Sequence, residues 1–118
     1  MTVVRRCFAV DLNDDADVIA AYRRWHEPGG PPATVSAAIR ADGVTELQIW
    51  LTGDRLFMIM EQDMARAPSV EEKRERDGAN PDVAAWDRLM ASMQKPLPSH
   101  PGQTWVEMER IYALSEQL

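Results

Sequence analysis

The chain has 118 residues, 45% of them hydrophobic and 27% charged, which is enough to bury one core and too little for two, so a single domain over residues 1–118 is expected. Thirteen Lys and Arg against 19 Asp and Glu leave a net charge of −6, whose field repels polyanions and argues against nucleic acid as a partner. No run approaches the roughly 18 apolar residues that cross a bilayer, the opening MTVVRRCFAV lacks a signal-type apolar segment, and the single Cys7 has no intrachain disulfide partner. These features predict a cytoplasmic protein, neither secreted nor membrane-spanning.

Val3–Leu12 alternates Arg6, Phe8, Val10 and Leu12 with Arg5, Cys7, Ala9 and Asp11, the period of two of a strand in a half-covered sheet. Asn13, Asp14 and Asp15 offer caps to a first helix over Ala16–His26, whose Val18, Tyr22 and Trp25 form an apolar stripe. The Pro28-Gly29-Gly30-Pro31-Pro32 run interrupts helix. A second helix, with Val35, Ala38 and Ile39 on one face, ends at Asp42-Gly43. Val44–Leu51 and Arg55–Gln62 read as antiparallel strands joined by the short Thr52-Gly53-Asp54 loop.

The stretch Ala65–Ala79 contains the unbroken charged run Glu71–Asp77 and little to bury, so a solvated helical turn or loop is expected there. Asn80 caps and Pro81 opens a third helix carrying Val83, Trp86, Met90 and Met93. Lys95–Gly102 reads as irregular, and the alternation over Thr104–Leu114 as a fourth strand.

The order βααββαβ predicts an α+β domain, a ferredoxin-like four-stranded antiparallel sheet with helices on one face. Phe57, Met58, Ile59 and Met60 put apolar groups on both sides of the third strand. A second copy is therefore expected to cover the open face, giving a homodimer that forms a dimeric α/β barrel.

Tyr22 and His26 are four apart and share a face of the first helix. Imidazole is the side chain suited to moving protons near neutrality, and a phenol beside it can bond either the ring or a substrate hydroxyl, so the pair suits acid/base work on a polyol. The same spacing also describes a Tyr completing the apolar stripe and a His near a helix C-terminus. Four tryptophans supply flat faces for sugar rings, and equally supply core and interface packing. Trp86-Asp87 joins a stacking plane to a hydroxyl acceptor, although Asp87 also fits the solvent side of its helix. Cys7 and His100 have no second ligand at a zinc-like spacing, so no metal site is expected. Glu61, Glu107, Glu109 and Arg110 fit a site or the polar face of a strand equally well.

The runs Tyr22-Arg23-Arg24-Trp25-His26, Gly43–Trp50 and Asp54–Glu61, in that order and spacing, resemble the L-rhamnose mutarotase family over almost the whole chain. Glu46–Trp50, Arg55–Glu61, Lys95–Pro98 and Trp105–Ile111 look more like its L-fucose branch. The resemblance implies an epimerase without cofactors that interconverts the α and β anomers of a 6-deoxyhexose monosaccharide. Carried over by position, His26 falls on the proton donor and Tyr22 on a substrate-binding tyrosine. Trp86 and Asp87 fall on two adjacent sugar-contacting tryptophans of the rhamnose branch, and Leu47 on a tyrosine contact of that branch. A further tryptophan of that branch is replaced within Gly29-Gly30-Pro31-Pro32. These departures point away from rhamnose while leaving the acid/base residue in place. The fold alone also accommodates a small-molecule-binding module or a cofactor-independent oxygenase.

Overall fold

Alternation over Val3–Leu12 produces β1, the strand to which most of the sheet is tied; the structure, a computed structural model, describes residues 2–118. The remaining elements are α1 (Ala16–Trp25), α2 (Ala33–Ala41), β2 (Val44–Thr52), β3 (Arg55–Asp63), α3 (Val70–Gly78), α4 (Pro81–Met93), β4 (Gln94–Lys95) and β5 (Val106–Glu107), with a 3₁₀ turn at Leu114–Glu116. The antiparallel sheet runs β2-β3-β1-β4, and β5 also pairs with β1. This is the ferredoxin-like strand order, with β4 and β5 sharing the place of a fourth strand.

Register assigns the two faces. Val10 opposes Leu56, Phe8 opposes Met58, and Met58 in turn opposes Ile49. That face meets Tyr22 of α1 and Met90 and Met93 of α4 in one core in which Val10, Leu12 and Leu56 are essentially inaccessible. Burying each such aliphatic side chain contributes about 1.5–3 kcal/mol. The opposite face carries Phe57, Ile59 and an exposed Trp50, and at one end of it the nearly inaccessible Asp11 receives two hydrogen bonds from Arg55, at 2.8 and 3.2 Å.

Three expectations need correction. The charged run is the helix α3, opened by a reciprocal capping box in which Ser69 and Glu72 each accept the other's main-chain N–H. It buries no residue of its own, which is why apolar periodicity missed it. The fourth strand does not extend over Thr104–Leu114: only Val106 and Glu107 pair, followed by the bond from Met108 N–H to the Cys7 carbonyl at 2.7 Å. Alternating side chains make a segment fit for a strand, but a ladder needs a neighbouring backbone, and beyond the Met108 bond residues 109–113 have no strand partner among the described residues. Lys95, expected to begin an irregular segment, instead belongs to β4. Among the described residues no helix is long and apolar enough to cross a membrane.

Candidate active site

Helix α1 begins where Asp15 accepts from the N–H groups of Asp17 and Val18, and ends where Pro28 forbids helical continuation through Glu27. The last turn tightens, so the His26 N–H bonds the Arg23 carbonyl at 3.2 Å and leaves the Tyr22 carbonyl without its usual helical partner. The His26 ring takes that place. Its Nδ1 lies 2.6 Å from the Tyr22 carbonyl oxygen, and because a carbonyl can only accept, Nδ1 carries the proton. Nε2, the other ring nitrogen, makes no hydrogen bond among the described residues.

Two aromatic rings fix the plane of this imidazole. The Tyr22 ring stacks on it with centroids 4.3 Å apart and an angle of 27°, and Trp86 meets it edge-on at 5.5 Å. Trp25 in turn contacts Trp86 edge-on at 6.0 Å. The Tyr22 ring is buried, and its hydroxyl accepts from Gln94 Nε2 at 3.2 Å. Burial pushes this phenol above its ordinary range, against a smaller opposing effect of the Gln94 bond, so it stays neutral and keeps its O–H as a donor.

These groups border a cavity of about 560 Å³ between the helix layer and β2, a size typical of small-ligand sites. All five positions singled out in the sequence, Tyr22, His26, Leu47, Trp86 and Asp87, line it. Gly30 seats the connecting loop against α1: a Cβ there would lie 2.3 Å from the Trp25 carbonyl oxygen, so only glycine fits.

The cavity also holds polar groups that the sequence reading overlooked. Asp42, only 8% exposed at the end of α2, accepts from Lys73 Nζ at 3.1 Å and from Arg76 Nη2, and Lys73 reaches Asp77 at 2.7 Å. Burial works against the Asp77 carboxylate, but Lys73 and Arg76 outweigh it and hold the group below the usual carboxylate range. Asp87 is shifted the other way, raised by burial and by the Asp77 charge, with Lys73 opposing. A signal was available in the run Lys73-Arg74-Glu75-Arg76-Asp77, where i,i+4 spacing sets Lys73 and Asp77 on one helical face. Nothing in the sequence pointed that face inward.

Other carboxylates considered from sequence are spent elsewhere. Glu61 pairs with Arg5 at 2.8 Å and Glu107 with Arg6 at 2.7 Å, and neither lines the cavity.

A family model described as L-rhamnose mutarotase matches residues 5–114. The chain belongs to the L-rhamnose mutarotase family. Within that family it is 44% identical over 117 residues to the L-fucose mutarotase of Xanthomonas campestris pv. campestris, covering 98% of this chain and 92% of that one. The crystal structure of an L-rhamnose mutarotase from Formosa agariphila superposes with a TM-score of 0.65 at 18% identity, covering 94% of this chain and 98% of that one, which shows the shared mutarotase-family fold. The chain is accordingly a carbohydrate-acting enzyme of the isomerase type.

Proposed function

We propose that this enzyme interconverts the α and β anomers of L-fucose, with His26 as the proton-transferring group. The observation that carries the reading is the imidazole fixed through Nδ1 to the Tyr22 carbonyl, with Nε2 left unbonded beside a cavity also lined by Tyr22, Trp86 and Asp87. Likeness to the Xanthomonas L-fucose mutarotase supports fucose over rhamnose as substrate.

The anchor is compatible with both protonation states of the ring, since Nδ1–H donates to the carbonyl in each. All proton exchange between the imidazole and the sugar therefore takes place at Nε2. In ring opening the imidazolium Nε2–H passes to the ring oxygen as the bond from that oxygen to the anomeric carbon breaks. The anomeric hydroxyl gives its proton to water or to Asp87 as its oxygen becomes the aldehyde carbonyl. Rotation about the bond to the neighbouring carbon presents the other aldehyde face. Closure runs the same transfers backward, with Nε2 recovering its proton. Positioned acid/base catalysis of this kind supplies about 10²–10⁴-fold, enough for a reaction that already proceeds in water.

Trp86 offers a face to the pyranose, the Tyr22 O–H and Asp87 take hydroxyls, and Leu47 and Ile49 offer an apolar wall to the methyl group that distinguishes a 6-deoxyhexose. A neutral monosaccharide is also the partner that suits a chain of net charge −6. We further place the enzyme in the cytoplasm, working as a homodimer whose open sheet faces, with Phe57 and Ile59, cover one another.

The test is saturation transfer between the anomeric proton signals of L-fucose and, separately, of L-rhamnose with catalytic amounts of enzyme. Faster exchange in fucose than in rhamnose is expected. Exchange at the buffer rate in both sugars removes the proposal, and acceleration confined to rhamnose replaces the substrate.

A further inference from the structure

Gln94 stands at the junction of α4 and β4. Its main-chain N–H bonds the Met90 and Ala91 carbonyls that end the helix, and its backbone pairs opposite the essentially inaccessible Leu12. The bond from the Asn13 N–H to the Met93 carbonyl, at 2.9 Å, fastens the same corner. The backbone here is thus held without help from the Gln94 side chain, which lies on the cavity wall with Tyr22 and His26.

That side chain and the Tyr22 hydroxyl each have one hydrogen-bonding role filled and one open. Gln94 Nε2 donates to the phenol oxygen at 3.2 Å, and neither group makes another side-chain hydrogen bond among the described residues. The amide retains a carbonyl oxygen that accepts, and the phenol retains an O–H that donates. One acceptor and one donor therefore remain side by side on the same wall. Tyr22 is only 4% exposed and Gln94 is half-buried, a setting in which unmatched polar atoms are costly. Other polar groups of the wall are in a different state, since Asp42, Lys73 and Asp77 are bound to one another.

A hydroxyl meets both needs at once, because it accepts through its oxygen and donates its proton. Set between the two groups, it accepts from the Tyr22 O–H and donates to Gln94 Oε1. With the bond from Nε2 to the phenol oxygen, this closes a ring in which each hydrogen bond polarises the next. We propose that Gln94 is a specificity-determining sugar-binding residue, which together with Tyr22 grips one hydroxyl of the monosaccharide as donor and acceptor. This deepens the mutarotase reading above and rests on it.

The gripped hydroxyl is not the anomeric one. An amide carbonyl is too weak a base to remove a proton, whereas the anomeric hydroxyl must lose its own for the ring to open. The contact therefore falls on a hydroxyl at C2, C3 or C4 of the 6-deoxyhexose, where it sets how the pyranose sits against His26. A sugar lacking that hydroxyl is rejected, because donor and acceptor are then left unpaired.

The experiment measures binding by calorimetry of L-fucose and of its 2-deoxy, 3-deoxy and 4-deoxy derivatives to the parent, Gln94→Met, Gln94→Leu and Tyr22→Phe. Met and Leu remove both amide functions but leave the main-chain bonds of the corner in place, and two variants with a thermal melt on each guard against one that misfolds. Each Gln94 variant is expected to bind fucose and two of the derivatives at least about tenfold more weakly than the parent, and the third within about twofold, since that derivative never made the bonds. Tyr22→Phe should spare the same derivative. Folded Gln94 variants that bind all four sugars as the parent does, that weaken all four equally, or that spare a different derivative from Tyr22→Phe overturn the proposal, as does a parent that binds none of them. Binding needs no catalysis: a parent that binds fucose with this pattern yet leaves anomer exchange unaccelerated would remove the catalytic reading and leave the Gln94 contact standing.

Discussion

The imidazole of His26 occupies the hydrogen-bonding position that its own main-chain N–H would fill in an unbroken helix, 2.6 Å from the Tyr22 carbonyl. The end of α1 thus does two jobs: it terminates the helix and orients a ring without any carboxylate partner. Replacing His26 by Ala should lower fucose anomer exchange by about 10²-fold or more. Because the ring is at a helix cap and only half-buried, the melting temperature should stay close to that of the parent. Saturation-transfer NMR and a thermal melt on the same sample check both halves.

Tyr22→Phe keeps the stacked ring and removes the hydroxyl. Gln94 Nε2 loses its acceptor in a half-buried place, so a destabilisation of about 1 kcal/mol is expected. Since the ring still supports the imidazole, kcat should fall less than KM rises, which full kinetics with fucose would read directly.

Asp87 gives a pH signature. Its carboxyl is raised by burial and by Asp77, so the folded chain holds this proton more tightly than the unfolded chain does. Stability from this group is therefore fully present below the ordinary carboxylate range and is lost as pH rises through the raised value. Asp87→Asn should melt higher than the parent at pH 7, and the difference should vanish in acid. Equal melting temperatures at pH 7 would contradict the assignment.

Helix α3 is docked by charge, not by burial, because Lys73 and Arg76 reach Asp42 while no α3 residue is buried. Asp42→Ala should therefore raise amide exchange over Val70–Gly78 by about tenfold and leave β1 and β3 protected. High salt should move the parent in the same direction, though less, since the paired carboxylate is shielded from solvent.

Periodicity made most of this fold readable. β1, β2, β3, α1 and α4 follow from alternation or from apolar stripes, because each packs one face against a shared core. The shortfalls occur where that cause is absent. The α3 segment has no apolar face, and its order comes from a capping box and from ion pairs with a residue about thirty positions earlier. The Thr104–Leu114 alternation met the opposite difficulty: its side chains suit a strand, but strand formation also requires a neighbour, and among the described residues only Cys7, Phe8 and Ala9 provide one. At the site, spacing put Tyr22 and His26 on one face, whereas the choice of ring nitrogen depends on which carbonyl the ending helix leaves free. Asp77 and Lys73 entered the cavity through packing of α3 against α4, which no local pattern encodes.

Gly30 separates neighbouring loop positions into two kinds. Gly29 has open space around it, and what restricts it is a backbone φ of 83°; Gly30 is pressed against the Trp25 carbonyl and tolerates no side chain. Anyone wishing to retune sugar preference by rebuilding the stretch between the two helices can vary Pro31, which borders the cavity, but a methyl group at position 30 would lift the whole crossing away from the helix end that carries the working imidazole.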